Sequence, residues 1–257
     1  MYQIIFSDID GTLLTSNHQL STKTKSRIQS LSIPFVLVSA RMPQGIYPFV
    51  KQLKLHTPMI CYSGGLILDQ DHHILYQSTF EEKQAETIYH YIKSFFNNIC
   101  VTRYSLNQWL VDNIDDPWVQ QEKEITSINP SILNHNQNIY KFLCMSESNH
   151  IIELEKVLSE QFPEVMIYRS KDTYLEIMPK GVSKSKAISI VCDYYQISLE
   201  QAIGFGDNYN DLEMLQTVKM GILMGNAPKE LKQKIPHHTT SNDENGIVVA
   251  LDNLKVK

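Results

Sequence analysis

Near its start the chain reads Gln3-Ile4-Ile5-Phe6-Ser7-Asp8-Ile9-Asp10-Gly11-Thr12-Leu13-Leu14, an apolar run followed by two carboxylates. The apolar run predicts a buried strand, and like charges at the end of such a strand raise each other's proton affinity. Proteins keep such a pair mainly where a cation neutralises it or where the two carboxyls have separate chemical tasks. Gly11 permits a sharp turn, and we expect Thr12 to bond back to the local backbone. The stretch therefore indicates a functional site at a strand end.

The composition is that of an ordinary globular protein. Of 257 residues, 42% are hydrophobic and 20% are charged, and the net charge of −5 offers no basic surface for nucleic acid or an anionic membrane. No apolar run reaches membrane-spanning length, and we expect no export signal, because the residues before the first strand lack a basic and apolar leader pattern. The cysteines lie far apart, so we expect reduced thiols, no zinc site and a cytoplasmic location. They are Cys61, Cys100, Cys144 and Cys192.

The first part of the chain alternates short apolar strands with amphipathic helices. Strands are predicted at 4–7, 35–38 and 59–62, with a hairpin at 66–76. Helices are predicted at 21–31, with Ser21 as N-cap, and from Pro43 onward. This alternation is typical of an α/β fold with a parallel sheet covered by helices on both faces.

From about residue 80 the pattern changes. Helices are predicted at 81–96 and 150–161, and segments of alternating polarity at 100–104, 108–111, 140–145, 165–169 and 174–177. These segments favour an antiparallel sheet with helices on one side, an inserted α+β domain. The alternation of short apolar strands and amphipathic helices returns near Pro179. We therefore assign residues 1–79 and 180–257 to a core domain and residues 80–179 to an inserted domain.

Polar side chains follow the predicted strands of the core, where ligands of open parallel sheets bind. Ser39 follows the second strand, and Ser63-Gly64-Gly65 follows the third. Lys184 lies in the first turn of a helix capped by Ser183. After a strand predicted at 202–205 come Asp207, Asn208, Asn210 and Asp211. Carboxylates from two strands suit a hard cation such as Mg²⁺, and a lysine, a hydroxyl and loop amides suit a phosphoryl group.

Four stretches resemble, in order and spacing, the motifs of the haloacid dehalogenase superfamily. In chain order they are Asp8-Ile9-Asp10-Gly11-Thr12, Val38-Ser39-Ala40-Arg41, Lys180-Gly181-Val182-Ser183-Lys184 and Gly206-Asp207-Asn208-Tyr209-Asn210-Asp211. The third stretch is similar to that of the Cof-type phosphatases. The resemblance implies a Rossmann-like core with a cap inserted between the second and third motifs. Only the interval from Ser39 to Lys184 is long enough for such a domain, which corresponds to a C2 cap of the C2B type.

The resemblance implies a Mg²⁺-dependent phosphatase acting on a small phosphorylated metabolite, such as a sugar phosphate, through an aspartyl-phosphate. Asp8 would attack phosphorus, and Asp10 would protonate the leaving alcohol and then deprotonate water. Lys184 would neutralise phosphoryl charge, and the cap would close over the leaving group. The implied phosphate and substrate contacts are Ser39, Ala40, Lys184 and Asn210. The implied metal residues are Asp8, Asp10 through its backbone carbonyl, Asp207, and Asp211 through water or by orienting the other ligands.

Two stretches depart from the family pattern. Ser39-Ala40-Arg41 stands where related sequences usually read Thr-Gly-Arg, and Ser63-Gly64-Gly65 stands where they usually read Asn-Gly-Ala. Serine keeps the hydroxyl at position 39, whereas the change at Ser63 could alter substrate contacts. Arg41 suits either the phosphate site or a structural ion pair. Lys180 is the alternative to Lys184, and Asn210 could be a helix N-cap as well as a site residue.

Other residues and functions stay open at this stage. We expect the adjacent His237 and His238 to lie at the surface rather than bind a metal. Arg103, Tyr104, Trp109 and Glu176 fit either internal packing or substrate contact. A phosphomutase with the same nucleophile and a catalytically retired binding or regulatory protein are the alternative functions. A dehalogenase is less favoured, because its reaction has no oxygen leaving group for Asp10 to protonate. We expect a monomer or a weak homodimer.

Overall fold

The computed structural model describes residues 1–133 and 137–256. They divide into two compact units, each with its own sheet and its own hydrophobic core. The first unit comprises Met1–Arg41, Ile46–Gln77 and Ser183–Lys257, and the second comprises Met42–Gly45 and Ser78–Val182. Assignment of residues 80–179 to an inserted domain with a capping role stays a prediction.

The structure gives the elements the following bounds. The strands are β1 (Ile4–Asp8), β2 (Phe35–Val38), β3 (Met59–Cys61), β4 (Leu66–Leu68), β5 (Ile74–Gln77), β6 (Cys100–Ser105), β7 (Gln108–Val111), β8 (Ser131–Ile132), β9 (Lys141–Met145), β10 (Val165–Lys171), β11 (Tyr174–Pro179), β12 (Ala202–Gly206), β13 (Met220–Leu223) and β14 (His237–His238). The helices are α1 (Thr22–Gln29), α2 (Pro43–Leu53), α3 (Glu82–Phe95), α4 (Pro117–Thr126), α5 (Ser148–Gln161), α6 (Lys184–Tyr195), α7 (Leu212–Thr217), α8 (Lys229–Lys232) and α9 (Gly246–Asn253). Short helical turns are Ile9–Leu13, Tyr62–Gly64, Leu199–Gln201 and Tyr209–Asp211.

The first unit contains a sheet in the order β14-β13-β12-β1-β2-β3-β4-β5. The strands from β14 to β3 run parallel, and β4 and β5 add an antiparallel edge. Every residue of the central strand β1 is buried, because helices cover both faces of a parallel sheet. The α/β prediction is confirmed. Since β1 lies between β12 and β2, its last residue, Asp8, lies beside the ends of both neighbours.

Local sequence signals account for the helix starts in the first unit. The Ser21 hydroxyl accepts a hydrogen bond from the Thr24 N–H at 3.1 Å, and the Ser183 hydroxyl accepts one from the Lys186 N–H at 3.1 Å. Both serines are therefore N-caps, as predicted. One face of α6 lies in the same buried apolar cluster as the inward residues of β1, β2 and β12. This packing fixes the start of α6, where Lys184 lies.

The second unit contains a sheet in the order β10-β11-β9-β6-β7-β8. Its neighbouring strands run antiparallel except β7 and β8, which run parallel. The antiparallel prediction is confirmed for the five predicted strands, and the parallel pairing involves β8, which was not predicted. The cause is α4, which was not predicted and connects β7 to β8 as a crossover. Its start is encoded locally, since the Asp116 carboxylate accepts the Trp118 N–H at 2.8 Å and Pro117 takes the first helical position.

Helices contact both faces of the second sheet, so the prediction of helices on one side is wrong. Apolar residues of α3 and α5 pack in one cluster with Leu175 of β11. Tyr174, the preceding residue, points to the opposite face, and its hydroxyl donates to Glu122 of α4 at 2.8 Å. The side chains of α4 are less apolar than those of α3, which is why its periodicity escaped the sequence reading.

Two compositional expectations can be compared with the structure. Cys61, Cys100, Cys144 and Cys192 are all free thiols, as expected. Within residues 1–133 and 137–256, no helix combines the length and the apolar character needed to cross a membrane.

Candidate active site

The candidate site begins where β1 ends. Asp8, the last residue of that strand, is only 7% exposed. The chain then turns through Ile9–Leu13 with Gly11 at φ +81°. A Cβ atom on Gly11 would overlap the Asp207 carboxylate, so glycine serves both the turn and the close approach of the two loops. The sharp turn at Gly11 is confirmed.

Thr12 joins this loop to the one after β12. Its hydroxyl donates to Asp207 Oδ1 at 2.7 Å rather than to the local backbone. The prediction for Thr12 is therefore wrong, because the Asp207 carboxylate, 195 residues away in sequence, is a stronger acceptor than a nearby carbonyl. The bond fixes the Asp207 side chain against the turn after β1.

Asp211 organises the loop after β12. It is fully buried, and its Oδ2 accepts the N–H groups of Asp207 at 2.9 Å and Asn208 at 3.0 Å. Asn208 is the cap of the Tyr209–Asp211 turn, so the N-cap interpretation of Asn210 is wrong. Asn210 itself is exposed, and its predicted contact with substrate stays a prediction.

Lys184 connects the two acidic loops. Its ammonium donates to Asp8 Oδ1 at 2.5 Å and to Asp211 Oδ1 at 2.6 Å, and the residue is 2% exposed. Its place at the first position of α6 is supported by Gly64 (φ +105°), where a Cβ would overlap the Ser183 carbonyl. The chain therefore brings Asp8, Lys184 and Asp211 into direct contact from three distant segments. Lys180, the alternative lysine, is exposed.

The cluster holds more negative than positive charge. Burial raises the pKa of Asp8 well above its ordinary value, Lys184 opposes this shift, and Asp211, Asp207 and Asp10 add to it. Burial, with a smaller contribution from Asp211, raises the pKa of Asp207 to about 6 against the opposing hydrogen bond from Thr12. Burial alone would lower the pKa of Lys184, but the attraction of Asp211 and Asp8 outweighs it and keeps the ammonium charged. A further cation would relieve this imbalance.

Ligand oxygens of Asp8, Asp207 and Asp211 all lie within 4.8 Å of one another, a spacing that could hold a metal ion. All are carboxylate oxygens, which suit a hard divalent cation. Both Asp211 oxygens already accept hydrogen bonds, from Lys184 and from backbone N–H groups. Direct ligation is therefore open chiefly to Asp8 and Asp207, and Asp211 is placed to orient them.

A second group of possible ligands, Asp69, Asp71 and His73, has a structural explanation. Asp69 Oδ1 accepts the N–H groups of Asp71 at 2.9 Å and His73 at 2.8 Å, which closes the turn between β4 and β5. These side chains lie in a hairpin turn and, unlike the Asp8 group, have no buried lysine among them.

Ser39 and Ser63 lie on adjoining loops after β2 and β3. Ser39 is buried, and its hydroxyl oxygen accepts the Arg41 N–H at 3.2 Å, which leaves its proton for another acceptor. The Ser63 N–H donates to the Ser39 carbonyl at 2.8 Å. Ser63 has φ +52°, and within the described part of the chain its buried hydroxyl has no hydrogen-bond partner. Ala40, between Ser39 and Arg41, is half-buried, and its predicted contact with phosphate stays a prediction.

Arg41 is the site residue that the sequence left undecided. Its guanidinium donates from Nε to Asp10 Oδ2 at 2.7 Å and from Nη2 to Asp10 Oδ1 at 2.6 Å. Asp10 is otherwise much more exposed than Asp8, with 43% of its side chain accessible. The position of Ser39-Ala40-Arg41 at a strand end indicated that Arg41 belongs to the site. The sequence alone did not identify the carboxylate with which Arg41 forms an ion pair.

Of the remaining candidates, Arg103, Tyr104, Trp109 and Glu176 belong to the second unit, and His237 and His238 belong to the first. Arg103 is buried beside Glu86, with Nη1 to Oε1 at 2.6 Å, and Glu176 is buried against Lys141 at 3.1 Å. Tyr104 and Trp109 stack within the second unit at a centroid distance of 6.2 Å. These four residues therefore have packing or ion-pair contacts within the second unit, and the alternative of substrate contact stays a prediction. His237 and His238 are exposed, as expected.

Comparisons with known proteins identify the family of the chain. Residues 5–251 match the family model of haloacid dehalogenase-like hydrolases. A Haemophilus influenzae protein named "Putative phosphatase" is 37% identical over 257 residues, covering 98% of each chain. The Bacillus subtilis protein YwtE, a 5-amino-6-(5-phospho-D-ribitylamino)uracil phosphatase, is 27% identical, covering 96% of each chain. The crystal structure of a haloacid dehalogenase-like hydrolase from Bacteroides thetaiotaomicron matches with a TM-score of 0.91 and 26% identity, over 99% of this chain and all of that one.

The family match spans nearly the whole chain. The predicted family is therefore confirmed. The chain belongs to the haloacid dehalogenase-like hydrolases, in the Cof-type group, and is a phosphoric monoester hydrolase.

Proposed function

We propose that the chain hydrolyses the phosphate monoesters of small metabolites, with Asp8 as nucleophile and a divalent cation, Mg²⁺, as cofactor. The observation that carries the proposal is the buried contact between Asp8 and Lys184 within a group of three carboxylates. A carboxylate held at one oxygen by a charged ammonium keeps its other oxygen for attack, and the ammonium offsets phosphoryl charge.

The first step transfers the phosphoryl group to Asp8. The Asp8 oxygen forms a bond to phosphorus as the bond from phosphorus to the substrate oxygen breaks, and the Asp10 carboxyl gives its proton to that leaving oxygen. The Ser39 hydroxyl, whose oxygen accepts the Arg41 N–H, donates its proton to a phosphoryl oxygen. Lys184 and the Ser39 hydroxyl thus stabilise the charge that is spread over the phosphoryl oxygens.

The second step returns Asp8 to its starting state. Asp10, now ionised, takes a proton from water as the water oxygen bonds to phosphorus, and the bond between phosphorus and Asp8 breaks. Inorganic phosphate leaves with the water oxygen. Asp10 therefore donates a proton in the first step and accepts one in the second. This dual role fits a carboxyl group that is more exposed than that of Asp8 and that water can reach.

Mg²⁺ would be held by carboxylate oxygens of Asp8 and Asp207 and by the Asp10 carbonyl, with Asp211 orienting the set. When bound, it would supply positive charge that neutralises the phosphoryl group and keeps Asp8 ionised. The raised pKa values of Asp8 and Asp207 support this assignment, because burial and, to a smaller extent, the neighbouring carboxylates disfavour their ionised forms, which a bound cation would favour.

For the substrate we favour a phosphorylated sugar or polyol. The similar Bacillus subtilis protein is named for a phosphoribityl substrate, in which the phosphate is carried by a sugar-alcohol chain. The net charge of −5 means that attraction of an anionic substrate must come from a local group such as Lys184. We place the activity in the cytoplasm, in a monomer or weak homodimer without nucleic acid or membrane partners, supported by the free thiols and the acidic net charge.

The test is a kinetic screen of the purified, metal-depleted protein over phosphorylated sugars, polyols, nucleotides and cofactors, with and without added Mg²⁺. We expect release of inorganic phosphate that requires the metal, and the highest kcat/KM among sugar and polyol phosphates. Return of the phosphate to a second hydroxyl of the substrate would instead indicate a phosphomutase. Absence of both turnover and Mg²⁺ binding would indicate a retired enzyme and overturn the proposal.

A further inference from the structure

The side chains of Arg41 and Asp10 meet in a two-point contact. Nε and Nη2 of the guanidinium each donate to a different oxygen of the carboxylate, at 2.7 and 2.6 Å. Two parallel hydrogen bonds fix the plane of a carboxylate as well as its position, which a single bond does not. The Asp10 side chain is 43% exposed and the Arg41 side chain 30% exposed. Because both side chains are partly exposed, water weakens the attraction between them, and the main effect of the two bonds is to fix the geometry of Asp10.

Arg41 is itself held firmly at its backbone. Its N–H donates to the Ser39 hydroxyl oxygen at 3.2 Å, and its carbonyl accepts the Tyr62 N–H at 3.0 Å. The guanidinium lies 5.4 Å from the ring centroid of Phe49 in α2. Arg41, which binds Asp10, is therefore held by contacts with the loop after β2, the loop after β3 and helix α2. Asp10, in contrast, lies in a turn with nonhelical backbone angles of φ −81° and ψ 119°.

The other charged neighbour of Asp10 offers a weaker hold. His18 Nδ1 lies 3.7 Å from Asp10 Oδ1, and the His18 side chain is 69% exposed. One longer contact from an exposed ring does not fix the plane of the carboxylate, whereas the two hydrogen bonds from Arg41 do. The orientation of Asp10 thus depends on Arg41.

We propose that Arg41 is a positioning residue: it holds the Asp10 carboxyl in the orientation needed for proton transfer to and from the reacting oxygens. This inference rests on the function proposed above, in which Asp10 is the acid and then the base. Each carboxyl oxygen keeps a second lone pair beside its bond to Arg41, and the transferred proton travels on that pair. Loss of orientation, rather than loss of substrate binding, is the expected result of removing the guanidinium.

The experiment compares leaving groups. An alkyl phosphate, such as a polyol phosphate, needs a proton on its departing oxygen, whereas p-nitrophenyl phosphate has a leaving group that departs without one. kcat/KM reports the steps up to departure of the alcohol, so it isolates the acid step. For Arg41→Met, which keeps the length of the side chain beside Phe49, we expect a loss of about 10- to 100-fold with the alkyl substrate. The loss with p-nitrophenyl phosphate should be small.

Two further variants make the test specific. Arg41→Lys keeps a positive charge but cannot form the fork, so we expect a leaving-group dependence between those of the wild type and Arg41→Met. Arg27→Met removes another guanidinium of the first unit, one that pairs with Asp252 at 2.8 Å, and should leave both substrates unaffected. Thermal unfolding of each variant checks that the fold is kept.

A double-mutant cycle separates action through Asp10 from direct contact with phosphate. In an Asp10→Asn background we expect Arg41→Met to have no further effect on either substrate, because the group that Arg41 orients is gone. An equal loss with both substrates, or a full additional loss in the Asp10→Asn background, would overturn the inference and indicate that Arg41 binds the phosphoryl group. An unchanged Arg41→Met protein would also overturn it. If the wild-type protein hydrolyses neither substrate, the proposed function fails instead.

Discussion

Each unit buries a lysine against carboxylates, and the two lysines differ in how far their charge is matched. In the first unit Lys184 contacts Asp8 and Asp211, and a third carboxylate, Asp207, lies beside them. In the second unit Lys141 forms an ion pair with Glu176 at 3.1 Å, and the Tyr168 hydroxyl also donates to Glu176, at 2.9 Å. One cluster is short of positive charge at the end of a parallel sheet, and the other is a matched pair within a sheet.

The comparison teaches how to tell a site from a structural pair. Burial alone does not separate them, since Lys184 is 2% exposed and Lys141 6% exposed. Burial also raises the pKa of Glu122 in the second unit, although the Tyr174 hydroxyl bonds to it. The difference lies in the number of carboxylates that share one small volume: among the described residues the second unit has no group of three ligands spaced for a metal. The excess negative charge of the first cluster suits the binding of a cation, and the matched pair does not.

The largest expected effect is on activity, from Asp8→Asn. This change removes the nucleophile, so kcat/KM for a phosphate monoester should fall by about 10⁴-fold. The substitution also removes one of three closely spaced negative charges, and Lys184 keeps its ion pair with Asp211. The free energy of unfolding should therefore not decrease. Steady-state kinetics and urea denaturation measure the two effects. The control is Glu122→Gln in the second unit, which should leave activity unchanged. An active Asp8→Asn protein would contradict the assignment.

The matched pair should respond in the opposite way. Lys141→Met leaves Glu176 buried without its counter-charge, and we expect the free energy of unfolding to fall by about 3–5 kcal/mol. The double variant Lys141→Met/Glu176→Leu should recover most of that loss, because neither buried charge remains. Urea denaturation of the three proteins measures the differences. A loss below about 1 kcal/mol in the single variant would mean that the pair is in effect solvated.

The metal requirement distinguishes Asp207 from the carboxylates of the hairpin turn. Asp207→Asn should raise the Mg²⁺ concentration needed for half-maximal activity by about 10- to 100-fold, since it removes a ligand oxygen. Asp71→Asn, in the other acidic group, should leave that concentration unchanged. Chelation with EDTA should abolish the activity of both variants and of the wild type. Equal Mg²⁺ dependence of the two variants would place the cation elsewhere.

The smallest expected effect is a dependence of stability on pH in the metal-depleted protein. Because burial raises the pKa of Asp207 to about 6 from an ordinary value of 3.8, the folded state binds the proton more tightly than the unfolded chain. Stability therefore falls as pH rises from about 4 to 6, and the penalty is complete above that range. Burial also raises the pKa of Asp8, so its ionisation changes stability in the same direction.

The difference between wild type and Asp207→Asn isolates this effect. Relative to the variant, the metal-depleted wild type should be about 1–2 kcal/mol less stable at pH 7 than at pH 5. Saturating Mg²⁺ should diminish the difference. Urea denaturation at the two pH values provides the measurement. Parallel pH profiles for the two proteins would show that the Asp207 carboxyl is ionised throughout and would argue against a cluster short of counter-charge.

Much of the first unit could be predicted because its signals are local. The apolar run before Asp8, the N-caps Ser21 and Ser183, and Pro43 at a helix start each depend on neighbouring residues. The acidic residues could be placed together because the carboxyl ends of parallel strands meet at one edge of a sheet. The partners of Thr12 and Arg41 could not be predicted, since each contacts a carboxylate that chain topology, not local sequence, brings near.

The second unit was harder to predict for a related reason. Its alternating strands were recognised, but α4 has a weak apolar face and its contact with Tyr174 spans 52 residues of sequence. The parallel pairing of β7 with β8 follows from that helix. Once α4 was missed, both the parallel strand β8 at that edge and the helix on the second face were missed with it.

The central claim, that Asp8 carries the phosphoryl group, can be tested most directly by trapping the intermediate. The Mg²⁺-loaded enzyme is mixed with a substrate found in the kinetic screen, quenched in acid during turnover and reduced with borohydride, which converts an aspartyl-phosphate to homoserine. Mass spectrometry of the peptide that spans β1 then identifies the modified residue. We expect homoserine at position 8 and unmodified aspartate at position 10. An unmodified Asp8 in a protein that turns over, or homoserine at any other position, would contradict the claim.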